Sequence, residues 1–388
     1  MARLGDICDI LNGYAFKSEK YISSGIRIIR IANVQKGYIE DTAPAFYPLD
    51  TPDIEKYALY EDDLLISLTG NVGRVALLKK EFLPAALNQR VACLRLKNNV
   101  PYDKSFLYCF LNSDYFENKC IQSAKGVAQK NMSTEWLKDY EIPDLSLDEQ
   151  KEISTVINKI SDLIDIRKQQ LFDFDNLVKS RFIEMFGTLN NNDNNYTVST
   201  LEELCTLIKD GTHQTPTYTE DVENGFKFLS SKDVMTQKIN WNDIKYIPAE
   251  LHKKLYSVIQ PRKNDILMSK NGVNYGVAAV NDTDEVFDIY VSLALLRPII
   301  EKINPVYFRC AINNPDTKRQ FDGSIKGIGV PNLHLGEIKK TKILVPPMDK
   351  QNDFVSFVEQ TDKLKFEVKE ALEKLEILKK SLMQQYFG

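Results

Sequence analysis

Apolar residues recur at helical spacing over two long stretches that hold neither Pro nor an internal Gly. From Asp148, the positions Ile153, Val156, Ile157, Ile160, Leu163, Ile164, Leu171, Leu177, Val178, Phe182 and Phe186 form one stripe that stops at Gly187. From Asp349, a second stripe carries Phe354, Phe357, Val358, Leu364, Val368, Leu372, Leu375, Leu378, Leu382 and Tyr386, with Lys and Glu between, and reaches Gly388. Each spacing predicts one helix, and a helix from Asp148 to Phe186 would be about 58 Å long at ~1.5 Å per residue. Each stripe needs an apolar partner, and the other helix is the nearest candidate.

Ahead of each helix the pattern is that of strands and turns. In the first half Ile26 to Ile31, Asp63 to Leu68, a turn at Gly70 to Gly73, Val75 to Leu78 and Arg90 to Leu96 read as strands around a glycine turn. Asp103 then caps a helix with Phe106, Leu107, Phe110 and Leu111 on one face. After the Asn-rich run Leu189 to Tyr196, which suits a linker, the same order restarts. Phe226 to Leu229, Asp265 to Ser269, a turn at Gly272 to Gly276, Val277 to Val280 and Val291 to Leu296 follow one another. The register holds: Asp63 to Asp265 and Arg95 to Arg297 differ by 202, while Gln150 to Gln351 and Gly187 to Gly388 differ by 201. The chain is a duplication of a unit of about two hundred residues. It divides into a globule over 1–147, a helix over 148–187, a globule over 188–348 and a helix over 349–388. The fold class is α+β, a mixed α/β chain whose scaffold repeats while the segments between the glycine turns diverge.

Composition narrows the chemistry. Six Cys stand singly, at 8, 93, 109, 120, 205 and 310, and His occurs only at 213, 252 and 334. That scatter does not build a Cys/His zinc site, and it suits a reducing, cytoplasmic compartment. No apolar run approaches the ~20 residues of a membrane span. The net charge of −4 is spread evenly, so bulk charge argues neither for nor against nucleic acid. There is no GxxxxGK[ST] loop, nor an Asn-Pro-Pro-Tyr stretch of the kind that amino-methyltransferases use. The nearest string is Val345-Pro346-Pro347-Met348. The one nuclease-like string, Pro143-Asp144 followed by Glu149-Gln150-Lys151, fits the first turn of a helix better, and the second copy replaces two of its members with Lys350 and Asn352. The chain is expected to be no enzyme and to hold no cofactor or metal of its own.

What remains are polar clusters beside the repeated turns, where Asn and Gln match adenine and Arg and Lys match guanine. The candidate contacts are Lys17, Arg30, Asn71, Arg74, Asn88, Gln89, Arg90, Lys125, Gln129 and Lys130 in the first globule. In the second they are Thr212, His213, Gln214, Lys232, Lys270, Asn271, Asn274, Tyr275 and Lys326. Asn and Gly in these places also simply make turns, the lysines also suit solvated loops, and a lone His is often a surface hydrogen-bonder.

The ordered pair of repeats resembles a known family, the specificity subunits of type I restriction-modification systems. The resemblance lies in KGVAQKNMS…IPDLSLDEQKEI before the first helix, KGIGVPNLHLGEI…VPPMDKQNDF before the second, the GTHQTP loop, and the helix ends KSRFIEMFG and KKSLMQQYFG. Ser146-Leu147 and Lys350 depart from the family pattern at the helix starts. The resemblance implies two pseudo-twofold-related target-recognition domains, separated by an antiparallel pair of long helices. Each domain would read one half of a split site on double-stranded DNA, with the helices setting the spacing. Two modification subunits would dock on the helices and methylate adenine with S-adenosylmethionine, and restriction subunits using ATP and magnesium can join. The residues alone leave another reading open, a protein-binding scaffold with the helices as its dock and no nucleic acid.

Overall fold

The computed structural model describes residues 2–124, 130–325 and 331–388. Two compact units result, one of Met1–Gln169 with Lys369–Gly388 and one of Gln170–Val368. The division falls inside the long helices rather than at the globule–helix junctions read from the sequence, because both ends of each helix are core elements.

In the first unit, β1 (Ala2–Arg3) and the single turn α1 (Leu4–Ile7) lead into β2 (Cys8–Asn12). There follow β3 (Ile26–Ile29), β4 (Phe46–Tyr47), β5 (Ala58–Leu59), β6 (Leu64–Ser67), β7 (Val75–Leu77), β8 (Ala85–Leu87) and β9 (Val91–Leu96). Helices α2 (Lys104–Leu111), α3 (Asp114–Ser123) and α4 (Thr134–Asp139) and the short β10 (Glu141–Ile142) precede the 40-residue α5 (Leu147–Phe186). Of the two four-stranded sheets, β2-β9-β6-β7 is antiparallel throughout and β4-β3-β8-β5 pairs β3 with β8 in parallel. Strand alternation sorts the core between them. Leu64, Ile66, Ala92 and Leu94 join Phe106, Phe110 and Phe116 of the helices, whereas Leu65, Val91 and Cys93 face Ile29, Ala85 and Leu87. Asp103 caps α2, accepting from the Phe106 N–H at 2.8 Å.

The second unit repeats the plan with β11 (Thr197–Thr200), β12 (Cys205–Asp210), β13 (Phe226–Leu229), β14 (Lys245–Ile247), α6 (Ala249–Tyr256), β15 (Ile266–Ser269) and β16 (Ala278–Val280). It continues through β17 (Phe287–Ile289), β18 (Leu293–Pro298), α7 (Pro305–Ile312), α8 (Pro315–Ser324), α9 (Leu335–Lys340) and β19 (Lys342–Val345) to α10 (Met348–Phe387). Its larger sheets are β12-β18-β15-β16 and β14-β13-β17, β11 pairs with β19, and β13 with β17 repeats the parallel pair. Where β5 pairs with β8, the second unit instead lays α6 on β17. His252 Nδ1 lies 2.7 Å from Asp288 Oδ2, and the imidazole stacks on Phe226 at 3.7 Å between ring centres.

The long helices are welded to the globules at both ends. Gln150, fully buried, accepts from the Asp103 N–H at 2.9 Å and donates to the carbonyls of Pro101 and Leu145. Gln351 does the same in the second unit with the Asn304 N–H and the carbonyls of Lys302 and Pro346. Each amide thus satisfies three backbone groups that burial would otherwise orphan. At the far ends, Phe387 of α10 packs on Phe106 and Phe110 in the first unit, and Phe182 and Phe186 of α5 pack on Tyr307 and Phe354 in the second.

Within each unit the helices run antiparallel. Lys168 meets Glu376 at 3.2 Å in the first unit, and in the second Lys365 meets Asp175 at 2.5 Å while Phe182 meets Phe354. The stripe read from the sequence is buried at its ends and at Ile160 and Ile164, while Leu163, Leu177, Leu364 and Leu378 are more than two-fifths exposed.

A candidate nucleic-acid interface

In each unit five segments meet at one end of the two sheets, because β2, β3, β6 and β8 finish there and β7 and β9 begin there. A ladder of backbone hydrogen bonds ties them together. In the first unit the Tyr14 N–H donates to the Leu87 carbonyl and the Gln89 N–H to the Tyr14 carbonyl. The Asn88 N–H donates to Ile29, Leu68 to Arg90, Gly70 to Lys130 and Met132 back to Leu68. The second unit copies every rung: Thr212 to Ile289, Val291 to Thr212, Tyr290 to Leu229, Lys270 to Ser292, Gly272 to Pro331 and Leu333 to Lys270. All sequence-read candidates among the described residues lie on these segments or within three residues of them. Lys125, Gln129 and Lys326 lie outside the described residues.

The glycine turn is the projecting part of each edge. Gly73 and Gly276 have φ of +84° and +85°, a region that side chains rarely adopt, and each is pressed against a helix. A Cβ would come within 2.7 Å of Cys120 on α3 at Gly73, and within 2.7 Å of Phe321 on α8 at Gly276. Ser67 and Ser269 close the two turns from inside, donating to the carbonyls of Asn71 and Asn274. The second turn is one residue longer, so Gly70 matches Gly272 while Gly73 matches Gly276.

This register corrects the placement of Lys270, which the sequence puts in the exposed turn. It occupies the place of Leu68, is 5 % exposed, and its Nζ donates to Asp210 Oδ2 at 2.7 Å. Its charge is consumed inside the protein. Arg30 is likewise turned inward: its guanidinium donates to the Ala43 carbonyl and lies 5.7 Å from the Tyr21 ring centre. Arg74 donates to Gln35 Oε1, and Lys232 to the Asp243 carbonyl at 2.8 Å. Lys318 and the Tyr275 hydroxyl both donate to Asp322, the hydroxyl at 2.6 Å, and these two bonds, the lysine's the larger, hold the Asp322 carboxyl below the ordinary range. Asn88 is buried and accepts from the Arg90 N–H at 3.3 Å.

What each edge offers to solvent is therefore different. In the first unit Lys17, Asn71, Gln89, Arg90 and Lys130 are exposed, with Tyr14 half exposed. In the second His213, Gln214 and Asn274 are exposed around Val273, which is 84 % exposed, while Thr212 and Asn271 are half-buried. Tyr14 and Val273 were missed in the sequence; the repeat register, which carries the glycine turns, was the signal that could have placed them. One frame thus carries two sets of donors and acceptors at side-chain reach, the requirement for reading base edges.

Among the described residues, no group of three or more His, Cys, Asp or Glu is placed to hold a metal ion. Burial pushes the Cys8, Cys109 and Cys205 thiols up to about 12. Glu149 of the nuclease-like string closes a helix cap, its carboxylate accepting from both the backbone and hydroxyl of Ser146, which holds it below the ordinary range. No helix among the described residues is long and apolar enough to cross a membrane.

The comparisons with known proteins converge. A family model described as the type I restriction modification DNA specificity domain matches residues 1–172 and again 193–378. The type I restriction enzyme EcoBI specificity subunit of Escherichia coli is 24% identical over 414 residues, spanning 99% of this chain and 84% of its own. The EcoAI specificity subunit of Escherichia coli is 38% identical over 167 residues, 42% of this chain and 28% of its own. Among solved structures, the S subunit of a type I restriction-modification system from M. genitalium aligns with 100% of this chain and 95% of its own at a TM-score of 0.53 and 17% identity. A structure describing complex assembly and conformational transition of a type I system aligns with 100% of this chain and 96% of its own, at a TM-score of 0.57 and 16% identity. At these identities the structures speak for the fold.

Proposed function

We infer, since this chain belongs to the type I restriction modification DNA specificity family, that its two loop edges read the two halves of a bipartite site on double-stranded DNA. The observation that carries this reading is the hydrogen-bond ladder built identically in both units beneath different exposed side chains. A shared frame with divergent tips is what two related but distinct sequence readers need. The continuity of α5 and α10 over 40 residues each supports helices that set the spacer between the half-sites.

The chain itself performs no catalysis in this reading. Two modification subunits dock on it and supply S-adenosylmethionine for base methylation, and restriction subunits bring ATP and magnesium. Exposed Phe172 and Phe366 on the helices, 60 % and 62 % exposed, support protein docking there. The same exposure would serve a scaffold without DNA, so the test is the complex on duplex. Reconstituted with modification subunits, it should bind one bipartite duplex in preference to scrambled DNA, with affinity falling linearly in log salt. Stable assembly with the modification subunits and no retention on any duplex at low salt would favour the scaffold.

A further inference from the structure

At the edge of the second unit a buried cation sits beneath an exposed imidazole. Asp210 Oδ2 accepts from Lys270 Nζ at 2.7 Å, and the same oxygen lies 3.2 Å from Nε2 of His213, whose side chain is 73 % exposed. The first unit has no such chain of groups. Register across β2 and β12 places Asn12 where Asp210 stands, since Asn12 pairs with Ala92 and Asp210 with Ala294; Leu68 stands where Lys270 does. The frame therefore forms without a buried ion pair, and such pairs are weak sources of stability. The pair has another use.

That use is orientation. Burial raises the Asp210 carboxyl, but the hydrogen bond and charge of Lys270 outweigh it and hold the group below its ordinary range. An ionised carboxylate only accepts, so at 3.2 Å it presents an acceptor to Nε2 of the imidazole. An imidazole that gives its Nε2 hydrogen to Asp210 keeps Nδ1 as its acceptor.

Resting on the reading of this edge as a DNA reader, we propose that His213 is a specificity-determining residue whose Nδ1 accepts a hydrogen bond from the exocyclic amino group of one adenine or cytosine in the second half-site, with Asp210 and Lys270 as its positioning residues. In the major groove only adenine N6 and cytosine N4 donate; guanine O6 and N7 and thymine O4 are acceptors and face Nδ1 unfavourably.

The test uses the full chain assembled with its modification subunits, on duplexes carrying each base pair in turn at every position of the site, with the methylation rate as readout. His213→Ala, a change at an exposed side chain, should relax discrimination at one base pair of one half-site by about tenfold. The other half-site should be unchanged. Asp210→Asn should relax the same base pair, and the double variant should be no worse than His213→Ala alone, the coupling expected of one positioned group. A general structural role would instead weaken all positions and add.

Two outcomes overturn the proposal: a wild-type profile for His213→Ala, or uniform weakening across all sequences. A wild-type complex with no bipartite preference would overturn the DNA reading itself, and this proposal with it. A wild-type complex with a clear site beside an unaltered His213→Ala profile removes only the role of His213.

Discussion

The penultimate residue of the chain should hold up its first domain. Phe387 is 5 % exposed, and its ring meets Phe106 at 5.6 Å and Phe110 at 5.5 Å, both edge-to-face. Phe387→Ala removes a buried ring and leaves a cavity among aromatic side chains that cannot collapse far, a change that costs about 3–5 kcal/mol. Against a typical total of ~5–15 kcal/mol for a domain, that is a large share. The loss should be local. Read by hydrogen exchange with mass spectrometry, amides of α2 and β9 that open with the whole unit should exchange roughly a hundredfold faster or more, since ~1.4 kcal/mol is a factor of ten. Amides of α7 and β18 should keep their protection. Phe186→Ala is the mirror experiment: that ring is 1 % exposed and packs on Tyr307 and Phe354 at 5.1 and 5.5 Å. It should loosen the second unit and spare the first. A loss under ~1 kcal/mol for Phe387→Ala, or equal losses in both units, would refute the assignment of the α10 end to the first core.

Three further outcomes follow from the same geometry. Gln150→Leu leaves the Asp103 N–H and the carbonyls of Pro101 and Leu145 unpaired in the interior, and should cost at least ~1–3 kcal/mol in denaturant unfolding of the first unit. Arg297→Met strands Asp265, 1 % exposed and bound through both oxygens at 2.8 Å, and should cost about 3–5 kcal/mol; a neutral effect in thermal unfolding would show the pair to be dispensable. Gly73→Ala forces a Cβ into a positive-φ position 2.7 Å from Cys120. It should displace the turn and weaken binding to one half-site only, measured by competition between duplexes mutated in either half.

Much of this architecture was legible in the sequence, because periodicity and caps are local signals. The helices observed over Leu147–Phe186 and Met348–Phe387 differ by one residue from the pattern's expectation, and the Asp103 cap is where its spacing puts it. The ordered recurrence of the Gly turns gave the duplication. Long-range pairings were not legible. Gln150 and Gln351 served as register marks, yet nothing local says that each amide reaches a loop about 49 residues away. Lys270 looked exposed because its neighbours are turn residues; its partner Asp210 lies sixty positions upstream on another strand. The stripes implied helix-on-helix packing throughout, whereas Phe182, Phe186 and Phe387 go into the globule cores. A stripe reports that a face is buried, not what buries it.

The central claim is that one frame, used twice, reads two half-sites independently. The most direct measurement is methylation mapping of a host genome carrying this chain with its modification subunits, beside the same host carrying a chimera in which residues 1–140 come from a relative. The methylated sequence should be bipartite, with the chimera altering one half and keeping the other. A chimera that alters both halves, or an active chimera that alters neither, would contradict it.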